Sequence, residues 1–140
     1  MNCPFCNPET ITQQTIFETE NEHVFYNLGP RTKGQCLVVP KRHVVNVREM
    51  KNEELASLLQ TVKIVSEKLQ AYLQPAGFNY GFNEGEASGQ TVPHLHFHIM
   101  PRYADDGIAE VHIFRNSSDE KRFMSENESG MLVKEFRKIF

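Results

Sequence analysis

The segment Gln90-Thr91-Val92-Pro93-His94-Leu95-His96-Phe97-His98-Ile99-Met100 alternates three histidines with bulky apolar residues. In a β-strand, successive side chains point to opposite faces of the sheet. The segment therefore predicts a strand with its histidines on one face and Leu95, Phe97 and Ile99 on the other. Imidazole has an ordinary pKa near ~6.5, so at neutral pH it can act as a nucleophile, a proton carrier or a metal ligand.

Three histidines on one face favour a functional interpretation, because ionisable groups are rarely buried together without a use. Two interpretations remain open at this point. One is a metal site built from the three histidines; the other is phosphoryl chemistry in which one histidine attacks and another handles the proton or the charge. The turn Gly89-Gln90-Thr91 precedes the histidines, and its backbone N–H groups can bind an anion. This turn favours a phosphoanhydride or phosphoramidate substrate over a simple metal hydrolase.

Length and composition predict one domain without a covalent framework. A chain of 140 residues can bury its own core, and 39% hydrophobic with 24% charged residues is ordinary for a globular protein. The formal net charge of -3 gives no general attraction to nucleic acid or to an anionic membrane. The first residues show neither a basic run nor an apolar stretch, so we expect a cytoplasmic protein with no membrane partner. Three cysteines do not make a secreted disulfide framework.

The periodicity predicts an α+β fold. Apolar residues recur at three- and four-residue steps from Asn52 to about Leu73, which predicts one long helix with Asn52 as its N-cap. Leu59 lies on the predicted apolar face of this helix. We expect about five antiparallel strands, with the helix on one face and the histidines on an exposed concavity. The strands before the histidine strand are predicted at residues 15–18, 24–27, 35–39 and 78–82. Beyond residue 105, a short extended segment is predicted at 110–115 and helical spacing at 131–140.

The run from His94 to Met100 resembles the signature of the histidine triad (HIT) family of nucleotide hydrolases and transferases. The resemblance continues in the family's order through residues 24–27, 34–43, the predicted helix, Asn83-Glu84-Gly85 and residues 89–102. It covers about residues 3–105 of a single HIT domain spanning 1–140, with 106–140 as a C-terminal extension. It implies a homodimer that acts on nucleotides.

The resemblance also implies a role for each site residue. His96 is similar to the nucleophile that attacks the α-phosphorus, and His98 to a residue that contacts a non-bridging phosphate oxygen. Thr91 resembles a residue that hydrogen-bonds the leaving atom. The nucleotide-binding positions implied are Asn27, Asn83, Gly89, Gln90, Thr91, Val92 and His98. A neutral imidazole has one lone pair and one N–H. We therefore expect one nitrogen of His96 to be the nucleophile and the N–H of the other to donate a hydrogen bond to a backbone carbonyl.

The segment Cys3-Pro4-Phe5-Cys6 has two interpretations. Its spacing is similar to the redox motif of glutaredoxins, but that motif follows a strand and two residues before Cys3 leave no room for one. The alternative is a structural zinc site, because a C-x2-C pair with two distant histidines gives tetrahedral coordination. The resemblance places the other two ligands at His43 and His94. His23 and His112 are expected at the surface, and Cys36 is expected to be a small buried residue.

The expected activity is hydrolysis at the α-phosphate of dinucleoside polyphosphates of the Ap4A and Ap3A type, or of nucleoside phosphoramidates, through a covalent nucleotidyl-histidine intermediate. Zinc is expected to be structural, with no organic cofactor and no nucleic-acid partner. Three alternatives stay open: a nucleotide-binding regulatory module with negligible turnover, a hydrolase with zinc bound to the triad itself, and a thiol redox protein.

Overall fold

The computed structural model describes residues 2–108 and 125–140. In these ranges five strands form one antiparallel sheet in the order β1-β2-β3-β5-β4. The predicted α+β class with a five-stranded antiparallel sheet is therefore confirmed. The strands are β1 (Thr15–Glu18), β2 (Glu22–Tyr26), β3 (Cys36–Pro40), β4 (Gly77–Gly81) and β5 (Phe97–Arg102). The α-helices of the described residues are α1 (Pro8–Gln14), α2 (Asn52–Leu73) and α3 (Glu126–Arg137).

Helix α2 has the predicted bounds, but its N-cap is Lys51 and not Asn52. The Glu54 carboxylate accepts a hydrogen bond from the Lys51 backbone N–H at 3.0 Å. This bond satisfies one of the backbone N–H groups that have no partner within the helix at its N-terminus. The prediction that Leu59 packs on the core is wrong, since that side chain is 56% exposed. The helix ends at Leu73, and its C-cap residue Gln74 adopts a left-handed φ of 50° before Pro75.

Helix α1 was not predicted from the sequence. It begins where the Asn7 side chain accepts a hydrogen bond from the Glu9 N–H at 2.9 Å, with Pro8 at its first position. Helix α3 agrees in part with the helical spacing at 131–140, and its Phe136 packs in the core at 4.9 Å from the Tyr26 ring. The extended segment predicted at 110–115 lies outside the described residues. None of the helices in the described residues is both long enough and apolar enough to cross a membrane.

Strands β2 and β3 are buried on both faces of the sheet. One face carries the main core, formed with α2 and α3 by residues that include Val24, Val38 and Ile99. The opposite face carries a smaller cluster of buried residues, against which Phe5 and Ile11 pack from the N-terminal segment. This smaller cluster consists of Phe25, Leu37 and Val39. Residues of β2 and β3 therefore alternate between two packed layers, and the histidine side chains belong to the layer of the smaller cluster.

The predicted histidine strand is wrong at its beginning. Strand β5 begins at Phe97, so His94 and His96 lie in an irregular segment before it. The physical reason is that this segment bonds elsewhere: the Leu95 backbone N–H donates to the Val44 carbonyl at 2.7 Å, outside the sheet. The predicted alternation nevertheless holds, because Leu95, Phe97 and Ile99 all pack in or against the main core.

Candidate active site and metal centre

His96 is held in one tautomer by the backbone. Its Nδ1 lies 2.8 Å from the His94 carbonyl oxygen. A carbonyl oxygen can only accept, so Nδ1 carries a hydrogen, and in the neutral ring the lone pair lies on Nε2. The sequence-based expectation of this hydrogen bond is confirmed. The backbone therefore fixes Nδ1 of His96 as the hydrogen-bond donor.

The histidine cluster is covered, and the expectation of an exposed concavity is wrong. His94 is 0% exposed, and His96 and His98 are each 9% exposed. Phe5 contributes to this cover, since its ring centroid lies 5.2 Å from that of His96 and 5.9 Å from that of His94, in both cases edge-on. The ring of His98 lies 5.1 Å from that of His96. Phe5 is a contact that sequence reasoning missed, although it stands between the two cysteines of the C-x2-C pair.

Cys3, Cys6, His43 and His94 come together, as the metal-site interpretation requires. Their ligand atoms all lie within 4.8 Å of one another. Four of the pairs are closer, at 3.1–3.5 Å, including the 3.1 Å between Nδ1 of His43 and Nδ1 of His94. Tetrahedral zinc with Zn–S bonds of about 2.3 Å and Zn–N bonds of about 2.0 Å separates its ligand atoms by about 3.3–3.8 Å. The four residues therefore form a group that can bind a metal ion.

The surroundings of this group fix its ligand atoms. The Cys6 backbone N–H donates to the Cys3 carbonyl at 3.1 Å, so one tight turn carries both thiols to the same side. Nε2 of His94 donates to the Pro40 carbonyl at 2.8 Å, which leaves the Nδ1 lone pair directed at the thiols. Burial, with the neighbouring His43 and His96, lowers the pKa of His94 and keeps it neutral. A neutral imidazole is the form that coordinates a metal.

The segment that precedes the histidines, residues 83–92, is called the phosphate loop below because the sequence predicts phosphate contacts there. Gly89 has a φ of +98°, a left-handed conformation that side chains disfavour. A Cβ on Gly89 would also lie 3.4 Å from Nδ2 of Asn83, so the loop backbone packs closely on the Asn83 side chain. Thr91 is exposed and Val92 is half-buried, and the Val92 carbonyl accepts from the His94 backbone N–H at 2.8 Å. The end of the loop is thus hydrogen-bonded directly to the start of the histidine segment.

Two predicted nucleotide-binding side chains have partners within the protein. The Gln90 side chain accepts from the Gly85 N–H at 2.7 Å and donates to the Val45 carbonyl at 3.2 Å. The Asn27 side chain accepts from the Gly29 N–H at 3.1 Å and shapes the turn after β2. Their contacts with a nucleotide stay predictions, and the Gln90 side chain additionally closes the phosphate loop.

The prediction of a surface position is wrong for His23 and untested for His112, which lies outside the described residues. His23 is 9% exposed, stacks on Phe25 with ring centroids 5.7 Å apart, and places Nδ1 3.2 Å from the Glu18 carboxylate. Burial is the main cause that lowers its pKa, assisted by Lys41. The expectation for Cys36 is confirmed: it is fully buried, and burial raises the pKa of its thiol.

Comparisons with known proteins agree with this arrangement. The family model of the HIT domain matches residues 9–105. An uncharacterised HIT-like protein of Methanocaldococcus jannaschii is 42% identical over 108 residues, which are 75% of this chain and 82% of the relative. The fold and the histidine arrangement define a histidine triad protein. The chain belongs to the HIT domain family.

Other relatives carry names of activities. A bis(5′-adenosyl)-triphosphatase of Dictyostelium discoideum is 30% identical over 141 residues, covering 100% of this chain and 95% of the relative. An adenosine 5′-monophosphoramidase of Schizosaccharomyces pombe is 34% identical over 104 residues, covering 73% of this chain and 75% of the relative. The crystal structure of a zinc-bound histidine triad protein from Mycobacterium smegmatis superposes with a TM-score of 0.74 at 28% identity, covering 99% of this chain and 94% of that chain. Related HIT proteins are thus hydrolases of nucleotide phosphoanhydride or P–N bonds.

Proposed function

We propose that this protein hydrolyses nucleotides at the α-phosphate, with His96 as the nucleophile. The substrates proposed are dinucleoside polyphosphates and nucleoside phosphoramidates, the two classes named for relatives. The observation that carries the proposal is the 2.8 Å hydrogen bond from His96 Nδ1 to the His94 carbonyl. It supports a tautomer of the neutral imidazole in which the lone pair lies on Nε2, the atom proposed to attack.

The reaction proceeds in two displacements. Nε2 of His96 attacks the α-phosphorus, and the bond from phosphorus to the bridging oxygen or nitrogen breaks. The leaving group departs with the bonding electrons and takes up a proton from solvent, and the Thr91 hydroxyl is proposed to hydrogen-bond the leaving atom. Water then attacks the nucleotidyl-imidazole at phosphorus and gives up a proton to solvent. This step releases the nucleoside monophosphate and returns the lone pair to Nε2. Splitting the hydrolysis in this way replaces one difficult step by two easier ones.

Fixed donors meet the negative charge that develops on the phosphate oxygens. The proposed donors are His98, whose ring lies 5.1 Å from that of His96, and the backbone of the phosphate loop at Gly89 and Val92. Donors of this kind are effective because they are already oriented when the charge appears. Asn27 is proposed to bind the ribose, and Asn83 to bind near the phosphates.

Zinc is the proposed metal of the Cys3, Cys6, His43 and His94 group, because two thiolates with two imidazoles suit zinc. The ion would cross-link the N-terminal turn to the segment before β5 and so hold His94. Since the His94 carbonyl accepts from His96, the group supports the nucleophile without touching it. We propose that the zinc is structural in this sense.

We further propose that the chain is a single domain that pairs as a homodimer in the cytoplasm. Strand β4 lies at one end of the strand order of the described sheet. Large apolar side chains are exposed on this strand and on α2, with Tyr80 45% exposed and Ile64 39% exposed. A second copy would cover such a surface. Analytical ultracentrifugation tests the proposal, and a monomer at micromolar concentration would contradict it.

A panel of nucleotides tests the proposed activity. Wild type, His96→Ala and chelator-treated protein are compared on dinucleoside tri- and tetraphosphates, phosphoramidates and aminoacyl adenylates. The proposal predicts turnover by wild type, none by His96→Ala, and turnover by chelator-treated protein to the extent that it stays folded. Nucleotide binding without turnover in wild type would instead identify a binding module. Loss of turnover in chelator-treated protein that remains folded would support a metal-dependent hydrolase.

A further inference from the structure

Residues 43–48, called here the linker segment, connect the metal-binding group to the phosphate loop. At one end His43 faces His94, with their Nδ1 atoms 3.1 Å apart. The next residue, Val44, accepts a backbone hydrogen bond from Leu95 at 2.7 Å. The linker segment therefore begins at a residue of the metal-binding group. Its second residue is hydrogen-bonded to Leu95, between His94 and His96.

The same segment then bonds to the phosphate loop. The Val45 carbonyl accepts from the Gln90 side chain at 3.2 Å. The Val47 backbone N–H donates to the Glu84 carboxylate at 2.6 Å, and the Arg48 guanidinium donates to it at 3.1 Å. Residues at four of the six positions of the linker segment thus bond to the metal-binding group or to the loop.

Glu84 joins the loop to the linker segment through a charged side chain. Its carboxylate reaches out of the loop to a backbone N–H of the linker segment, and a charged acceptor makes a stronger hydrogen bond than a neutral one. The side chain is 23% exposed, so water competes only partly for this bond. The Arg48 side chain is 75% exposed, and an ion pair of this kind contributes little. The bond to Val47 is therefore the main one.

We propose that Glu84 is a positioning residue for the phosphate loop, and that the linker segment transmits metal binding at His43 and His94 to that loop. The effect on nucleotides rests on the proposed function. The metal ion would hold the linker segment at its His43 end, and Glu84 holds it at its Val47 end. Both contacts then stabilise the position of the phosphate loop. Loss of either one lowers the fraction of molecules in which the loop is ready to receive a phosphate, and the apparent Kd rises as that fraction falls.

Hydrogen exchange measured without nucleotide tests the link to the metal. In the wild-type chain, removing the metal with a chelator is expected to speed amide exchange in the linker segment and in the phosphate loop. Exchange in the paired strands β2 and β3 is expected to change much less. An equal increase across β2, β3 and the loop, or unchanged exchange in the loop, would overturn the proposed link. This measurement needs no substitution and no activity.

Three variants test Glu84, with AMP as the probe of binding. Glu84→Ala is expected to raise the Kd for AMP about tenfold, the size typical of losing one charged hydrogen bond, with kcat changed less than about twofold. Glu84→Gln keeps an oxygen for the Val47 N–H and is expected to restore most of the affinity. Arg48→Ala, the matched control, removes only the exposed ion pair and is expected to bind AMP like wild type. Metal content is expected to be the same in all three.

The outcomes separate this proposal from the proposed function. Wild-type exchange in the phosphate loop together with wild-type AMP affinity in Glu84→Ala would overturn the role of Glu84. An equal loss of affinity in Glu84→Gln and Arg48→Ala would also overturn it, because the ion pair would then be the part that counts. If wild type neither binds AMP nor turns over any nucleotide of the panel, the proposed function fails, whereas amide exchange in the loop of Glu84→Ala still confirms or refutes the positioning role.

Discussion

The two faces of β5 show two ways in which one sheet can be buried. Ile99 points into the main core and is fully buried among apolar side chains. His98, its neighbour in sequence, points to the opposite face and is as buried as His96. The apolar face is stabilised by removing hydrocarbon from water, which does not depend on direction. The histidine face buries polar groups, and each of these needs a partner in a defined place.

The largest loss of stability is expected when the metal-binding group on the histidine face is removed. A Cys3→Ser, Cys6→Ser variant removes both thiols and is expected to lose its metal. Where free metal stands about a thousandfold above its Kd, the stability lost is about 4 kcal/mol. Metal analysis of protein purified without added zinc, combined with urea unfolding, measures both quantities.

Cys36→Ala is the matched control for this experiment. The Cys36 thiol is fully buried in the main core and donates to the Gly34 carbonyl at 3.1 Å. Its loss is expected to lower stability by roughly 1–2 kcal/mol and to leave metal content unchanged. A cysteine pair variant that keeps its metal, or a Cys36 variant that loses it, would contradict the assignment of the ligands.

Two neighbouring substitutions on β5 compare its faces directly. Ile99→Ala is expected to cost about 2–5 kcal/mol of unfolding free energy, with kcat per folded molecule nearly unchanged. His98→Gln is expected to lower kcat about 10²-fold, the size typical of losing one fixed donor to phosphate oxygens. Its stability is expected to change by about 1 kcal/mol or less. If both substitutions changed stability and kcat in the same proportion, the division of labour between the faces would be wrong.

The smallest effect is expected at His23, on the histidine face. Its pKa is lowered in the folded protein, so below about pH 6.5 the unfolded chain binds a proton that the folded chain resists. Stability therefore falls as pH falls, by at most about 1.4 kcal/mol per pH unit for one histidine. His23→Gln is expected to lessen the fall between about pH 7.5 and about pH 5.5 in urea unfolding. A steeper fall in the variant would show that His23 is protonated more readily in the folded state.

The sequence predicted the apolar face well because hydrophobic periodicity reports burial directly. Helix α2 has the expected bounds, and the alternation of Leu95, Phe97 and Ile99 places them in or against the main core as expected. Periodicity does not report backbone pairing. It therefore missed that β5 begins at Phe97, since the earlier residues bond to Val44 and not to the sheet.

The sequence predicted which residues form the histidine face, but it did not predict that these residues are buried. The four metal-binding side chains and the hydrogen bond of His96 to a backbone carbonyl were expected and are present. Phe5, which covers His96, was missed because an aromatic residue between two cysteines has no periodic signature. Helix α1 was missed because a helix of seven residues is too short to show a pattern.

The central claim is that His96 attacks phosphorus. Wild-type protein is mixed with a dinucleoside polyphosphate or a phosphoramidate, quenched with acid within milliseconds and measured as an intact protein by mass spectrometry. The account predicts an increase of one nucleotidyl group, located on His96 by peptide mapping and absent from His96→Ala. Turnover by His96→Ala, or a nucleotidyl group located on another residue of the wild type, would contradict it.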